Sequence, residues 1–384
     1  MRLSIPVSAF VAAIVGFGGT LALIIAAADA LGATRDQTAS WVTAICLAIA
    51  VSSLVLSLRY RMPVITAWTT PGLALIGATS GYTMNDAVGA FLITAVLIVA
   101  TGLFRPLTRL IATIPGSVAS GMLAGIVFTF CAGAARAAGT DPALILPLAA
   151  MFFLIRLVSP TASVIAVLVG GVIYASLLGR VGAFPVPGLS TLVYTHPSFS
   201  VGSLFGIALP LYLVTMASQN LPGMAVLKGA GYEPPAGPML VVTGMTSLLT
   251  APFNAVTSNL AAISAAICTG PEVHPDPRER WKTGPFYALA YVVFAVFGAS
   301  LVALFAVLPA SLILLFAGLA LIGPLANALV IAMASPEDRI AATVAFFATA
   351  SGLTALGIGP AFWGLVAGIA VLGLDRLKNR LRFQ

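Results

Sequence analysis

Pro63-Val-Ile-Thr-Ala-Trp-Thr-Thr-Pro-Gly72 is a short polar segment, punctuated by proline and glycine, inside a very apolar chain. A second one, Pro252-Phe-Asn-Ala-Val-Thr-Ser-Asn259, occupies the corresponding place in the other half. Thr66-Ala-Trp-Thr-Thr70 aligns with Asn254-Ala-Val-Thr-Ser258 at an offset of 188 residues, close to half of the 384-residue length. Each leads into an apolar run, Leu73 to Ile76 and Leu260 to Ile267. Interrupted hydrophobic segments in matching positions of two halves are the sequence sign of a secondary transporter's binding site. Transport is therefore the first expectation.

Composition agrees. Hydrophobic residues make up 60% of the chain and charged residues 8%, with a mean hydropathy of +1.09. A soluble domain carries about 25% charge, so this chain reads as a polytopic membrane protein. Met1 to Thr20 has an apolar run but no small-residue cleavage site, and reads as a first membrane helix, not a removed leader. Cys46, Cys131 and Cys268 lie in or at the ends of apolar runs, without paired or metal-ligand spacing. Neither a disulfide framework, a metal nor a cofactor is expected. The net charge of +7 marks loops on one side of a membrane, not a nucleic-acid partner.

Apolar stretches give about fourteen spans, near 5–28, 38–58, 63–80, 86–104, 113–135, 142–157 and 160–179, then 203–227, 236–251, 252–269, 284–306, 309–333, 338–354 and 358–375. Several are too short to cross as straight helices of about 20 residues. With the N-terminus in the cytoplasm, fifteen Lys and Arg residues fall on the inner side, and only Arg35, Arg136 and Arg180 fall outside. That bias places both termini in the cytoplasm; the expected location is a bacterial-type inner membrane. Seven spans per half invert the second half relative to the first. Ile114-Pro-Gly-Ser117 and Leu308-Pro-Ala-Ser311, 194 residues apart, match in the fifth and twelfth spans. The expected organisation is a first repeat over 1–180, a linker over 181–202 and a second repeat over 203–384. The expected fold class is all-α, with two short extended stretches leading into half-helices in spans 3 and 10.

Extended backbone at membrane depth is tolerated only inside protein or beside a water-filled cavity. If residues near 64–70 and 252–257 are extended, they pair across the bundle centre. The helices that follow, beginning near Thr70 and Thr257, then present partial positive charge and free N–H groups to an anion. No Asp, Glu, Lys or Arg falls in the middle of a span. A cation carrier would show a central carboxylate, so the site suits an anion or a neutral polar molecule. Trp68 and Phe253 either face an aromatic ligand or pack against a neighbouring helix. Thr69, Thr70, Asn254, Thr257 and Asn259 either line the site or join helices. Gln219 and Asn220, in the polar cluster Thr215-Met-Ala-Ser-Gln-Asn220, need partners or water. Asn327 is a further candidate. Gly16-Phe-Gly-Gly-Thr20 suits close helix packing. His274 belongs to a rigid inner connector, with gating or proton relay as its other reading. No catalytic constellation is present.

These residues resemble a known family. Pro63 to Gly72, Asn254 to Gly270 and Pro271-Glu-Val-His-Pro-Asp-Pro-Arg-Glu-Arg-Trp281 resemble the BenE-type benzoate–proton symporters over nearly the whole chain. That family is similar in architecture to nucleobase–cation symporters and anion exchangers built as a seven-plus-seven inverted repeat. The resemblance implies a core domain (about 1–104 and 203–306) holding the half-helices. It also implies a gate domain (about 105–180 and 307–378) through which a homodimer would form. Nucleobase relatives carry acidic residues on the eighth and tenth spans, where this chain has Gln219, Asn220, Asn254 and Asn259. A fixed carboxylate would repel an anion, so the departure fits an anionic substrate and leaves the proton's route open. The expectation is import of benzoate or a similar aromatic carboxylate with a proton, its carboxylate at the half-helix starts, its ring between Trp68 and Phe253, and Gln219 adding a hydrogen bond. A same-fold transporter of a nucleobase or inorganic anion is the alternative, and an intramembrane enzyme a remote one.

Overall fold

A computed structural model describes residues 2–18, 20–104, 116–183, 186, 188–356 and 358–382. Arg105, Arg109, Ile114 and Pro115, used in the sequence reading, lie outside these. The first half runs α1 (Ser4–Gly18), α2 (Leu21–Ala30), α3 (Arg35–Tyr60), β1 (Thr66–Trp68), α4 (Thr70–Gly77), α5 (Met84–Leu103), α6 (Gly116–Thr140), α7 (Pro142–Arg156) and α8 (Pro160–Leu177). The second half opens with α9 (Val201–Gly229), which contains π-turns at Leu204–Ala208 and Met216–Asn220. There follow α10 (Ala236–Thr250), β2 (Ser258–Leu260), α11 (Ile263–Thr269), α12 (Thr283–Val296), α13 (Gly298–Ala306), α14 (Ala310–Ala332), α15 (Arg339–Ala350) and α16 (Pro360–Arg382).

Helix ends follow local chemistry. Thr34 and Thr83 open α3 and α5 with reciprocal capping boxes to Gln37 and Asp86. Among the described residues, seven helices are long and apolar enough to cross a membrane. Pro277–Val296 and Gly298–Ala306, bent by 57° at their junction, make an eighth when taken together. Four shorter apolar helices are Pro142–Arg156, Ala162–Leu177, Arg339–Ala350 and Pro360–Asp375.

The helices pack in two sets. α3 packs against α10, α12 and α13, α5 against α10, and α1 against α11 and α12. Separately, α6 packs against α14, α15 and α16, and α7 against α8. Small residues bring backbones together, as they do where lipid removes the hydrophobic drive for helix association. A Cβ on Gly102 would stand 2.6 Å from Gly237 O, and one on Gly237 2.7 Å from Gly102 O, so α5 and α10 cross with no room for a side chain. The segment between the halves is a strap over the first set. Ser190 N donates to Val296 O (3.0 Å), Thr195 N to Pro252 O (2.8 Å) and Ser198 N to Asn85 O (2.9 Å). In the second set, Asp141 receives Arg180 and Ser311, and the Arg180 guanidinium holds its carboxyl below the usual carboxylate range.

Candidate functional site

Both broken segments are extended, and they meet. β1 and β2 pair antiparallel, with Thr66 opposite Leu260, Ala67 opposite Asn259 and Trp68 opposite Ser258. The first segment matches its expectation, since α4 begins at Thr70. The second is displaced. Ala251–Phe253 form a 3₁₀ turn, and Asn254 then takes a left-handed conformation at φ +75°. Those residues are spent on a turn, so the strand falls at 258–260 instead of 252–257, and the half-helix α11 begins at Ile263, not near Thr257. The strands of the two halves are thus related by 192 residues (258 minus 66). The residue-type alignment at 188 had matched the turn of one half to the strand of the other.

A two-stranded ribbon buried among helices has outer edges to satisfy, and hydroxyls supply the partners. Thr66 Oγ1 lies 2.7 Å from Ser52 Oγ and 2.8 Å from Ser53 Oγ, and Thr66 N donates to Ser53 Oγ (3.0 Å). Ser258 N donates to Ser247 Oγ at 2.8 Å, and Tyr287 OH donates to Thr66 O at 3.1 Å. Sequence reasoning missed Ser52, Ser53, Ser247 and Tyr287. The signal available was Ser52-Ser-Leu-Val-Leu-Ser57 on an otherwise apolar helix.

The amides form the ribbon's other support. Asn220 is fully buried at the end of the second π-turn of α9. Its Oδ1 accepts from Leu260 N at 3.0 Å, and its Nδ2 donates to Asn259 Oδ1 at 3.4 Å. Asn259 Nδ2 donates to Thr257 O (2.8 Å) and Thr257 Oγ1 (3.2 Å). Asn220, Thr257 and Asn259 are therefore one network tying α9 to β2. Gln219 and Thr70 are half-buried, and no protein hydrogen bond of their side chains is seen among the described residues. Thr69 caps α4 by accepting Gly72 N at 3.1 Å. Pro71 has no N–H, so α4 offers a ligand its dipole and the Thr70 hydroxyl. Ala262, the residue before α11, provides no side-chain cap, and Ile263 is 67% exposed.

Trp68 is buried against Phe17 and Tyr291, with ring centroids 5.4 and 6.1 Å away. Phe253 packs elsewhere, against Tyr194 of the strap at 6.5 Å. Asn254 joins the same strap, donating to Val193 O at 3.0 Å. The structure therefore gathers Trp68, Thr69, Thr70, Gln219, Asn220, Thr257 and Asn259 about the ribbon. Phe253 and Asn254 stand with the strap. Asn327 lies on α14, in the other packing set.

Arg280 is the one buried charged residue among those described. It donates to Thr269 O (2.7 Å), the last carbonyl of α11, and to His274 O (2.7 Å) and Pro275 O (3.4 Å). A cation at a helix C-terminus is favourable, and the guanidinium also braces the connector that carries His274. Arg280→Gln is expected to leave these carbonyls short of donors and cost about 1–3 kcal/mol. A lower thermal unfolding midpoint in detergent, partly restored in Arg280→Lys, is the expected reading; an unchanged midpoint would remove the bracing role.

A bundle with a charge-free ribbon at its centre, closed by hydroxyls and amides, is the framework of a membrane transporter. A family model described as "Benzoate membrane transport protein" matches residues 1–374. The chain is 41% identical over 393 residues to "Inner membrane protein YdcO" of Escherichia coli (strain K12), covering 100% of both chains. It is 35% identical over 369 residues to the "Benzoate membrane transport protein" of Acinetobacter baylyi, covering 96% of this chain and 94% of that one. Among solved structures, the transmembrane domain of a cyanobacterium bicarbonate transporter, BicA, superposes with a TM-score of 0.63 at 14% identity, over 96% of this chain and 98% of that one. SLC26A9 gives a TM-score of 0.66 at 12% identity, over 97% of this chain and 65% of that one. The chain belongs to the benzoate membrane transport protein family, a family of transporters and not of enzymes.

Proposed function

We propose that this protein is a secondary-active symporter that imports benzoate or a similar aromatic carboxylate with a proton across a bacterial inner membrane. The observation that carries the reading is the buried β1–β2 ribbon of a benzoate-family chain, flanked by two half-helix starts and free of fixed carboxylates. The carboxylate lies between Thr70 and the start of α11, within reach of Gln219. Trp68, backed by Phe17, forms the wall on the ring's side. Phe253 stands with the strap and takes no part in this arrangement.

The eight long or bent spans, four shorter helices and two broken segments give fourteen crossings, with the second half inverted on the first and both termini in the cytoplasm. The α3-centred packing set is the core and the α6-centred set the gate, with the gate as the dimer surface. Alternating access is movement of one against the other. With no buried acid at the ribbon, the proton travels on the substrate carboxyl group or through the amide and hydroxyl network.

The test is uptake of radiolabelled benzoate into proteoliposomes with and without an inward proton gradient. Accumulation above equilibrium only with the gradient is the expected result. Gradient-independent equilibration would remove the coupling, and no uptake by folded protein would remove the substrate.

A further inference from the structure

Residues 188–200 of the strap form neither helix nor strand, and apolar burial is not what holds them. Leu189 is 74% exposed, Tyr194 59% and Phe199 64%. Hydrogen bonds hold the backbone instead. Gly188 N donates to Ser300 Oγ (3.0 Å), and that hydroxyl donates back to Gly188 O (2.8 Å). Ser190 serves the 57° bend between α12 and α13, where a broken helix leaves backbone groups without partners. Its N–H reaches Val296 O, and its Oγ accepts from Ala299 N at 2.6 Å. Val193 N donates to Ser40 Oγ (2.9 Å), which donates in turn to Phe253 O (2.9 Å). Gln37 Nε2 donates to Thr195 Oγ1 (3.0 Å) and Asn85 Nδ2 to His196 O (2.9 Å). Ser198 Oγ donates to Asp86, and Gly89 of α5 leaves no room for a Cβ beside Ser198 O.

These partners are the start of α3, the start of α5, the turn before β2 and the α12–α13 bend. All four belong to the first packing set, so the strap buckles one end of that set together. A strap that opened as a lid would strip partners from every one of them at once. The chain passes between the two sets elsewhere. Gly182, after α8, donates its N–H to Val307 O (3.2 Å), in the short link between α13 and α14. The two crossings between the sets therefore meet at one joint.

We propose that the strap is an immobile seal fixed to the first set, and that substrate on that side reaches the ribbon only through the seam between the sets. The inference rests on the reading of the chain as a transporter whose two packing sets move against each other. The seam at the strap's end of the bundle includes Thr79, between α4 and α5, and Gly359, before α16. A Cβ on Gly359 would stand 3.9 Å from Thr79 Cγ2, in ordinary contact, so a cysteine pair fits there.

The experiment is benzoate uptake by two double-cysteine variants in proteoliposomes, in a Cys131→Ala background, Cys46 and Cys268 being buried. Asn85→Cys/His196→Cys joins strap to core at two exposed positions through a short bis-methanethiosulfonate reagent. Thr79→Cys/Gly359→Cys joins the two sets by a disulfide. Linking the strap should leave uptake at the level of the unlinked variant, while the disulfide should abolish uptake until it is reduced. Loss of uptake on linking the strap would overturn the fixed seal, and full uptake through the locked seam would overturn the route. Amide hydrogen exchange of the wild-type protein is a second readout that needs neither variant nor substrate. The amides of residues 190, 193, 195 and 198 should exchange as slowly as those of α3; exchange at the rate of an open chain would overturn the seal. No benzoate uptake by folded wild-type protein would overturn the transport reading and the route, leaving the exchange result to decide whether the strap is fixed.

Discussion

Asn220→Leu is expected to abolish most transport and to destabilise the protein. The side chain is fully buried, and its replacement has nearly the same size but no polar atoms. The Leu260 N–H then loses its acceptor at 3.0 Å and Asn259 Oδ1 its donor at 3.4 Å. Each buried group left unpaired costs about 1–3 kcal/mol, and the packed interior around the ribbon offers no other partner in its place. A loss of roughly 2–4 kcal/mol follows, with a tenfold or larger drop in uptake, since the ribbon would no longer be tied to α9. Asn220→Asp separates support from chemistry. It keeps the acceptor for Leu260 N–H, so the fold should survive, but a carboxylate there repels an anionic substrate. Thermal unfolding in detergent and benzoate uptake decide the matter. Wild-type uptake by Asn220→Leu would show that this amide network is dispensable.

Trp68→Ala has a comparable effect for a different reason. Removing a buried tryptophan from a packed cluster costs about 3–5 kcal/mol, the spread reflecting how far the site collapses. Phe17 and Tyr291, at 5.4 and 6.1 Å, are the rings that would have to fill the space. If Trp68 forms the wall for the substrate ring, uptake of benzoate falls more than uptake of a short-chain acid. Trp68→Phe, which keeps an aromatic face, should recover most of the difference. Equal losses for both substrates in protein of normal stability would mean that Trp68 is packing alone.

The first half of the site was legible in the chain because its signals are local. Pro63 and Pro71 bracket an extended segment, and Thr69 is a ready N-cap before a proline at the second helical position. The second half misled because the matching residues do different work. Asn254 resembles Thr66 in polarity, yet it sits at φ +75° and closes a turn onto the strap. Phe253 is next to that turn and so follows it away from Trp68. The groups that hold the ribbon were harder still to see. Ser52, Ser53, Ser247 and Tyr287 lie in helices whose overall pattern is apolar, and only their contact with β1 and β2 gives them a role. Arg280 reads as one more basic residue of an inner loop, but its guanidinium is buried on the last carbonyl of α11.

What the sequence alone determined is what short-range chemistry and solvent transfer dictate. Its hydropathy required a membrane, its prolines and glycines interrupted two spans, and its lack of central charge excluded a fixed carboxylate at the site. Only the tertiary structure decided the register of the ribbon, its partners, and which polar residues are spent on joining helices and strands. The physical reason is that an uncharged polar side chain in a membrane protein must be satisfied by something. Whether that something is a neighbouring backbone, as Leu260 N–H is for Asn220, or no protein group at all among the described residues, as for Gln219 and Thr70, depends on atoms far away in the chain.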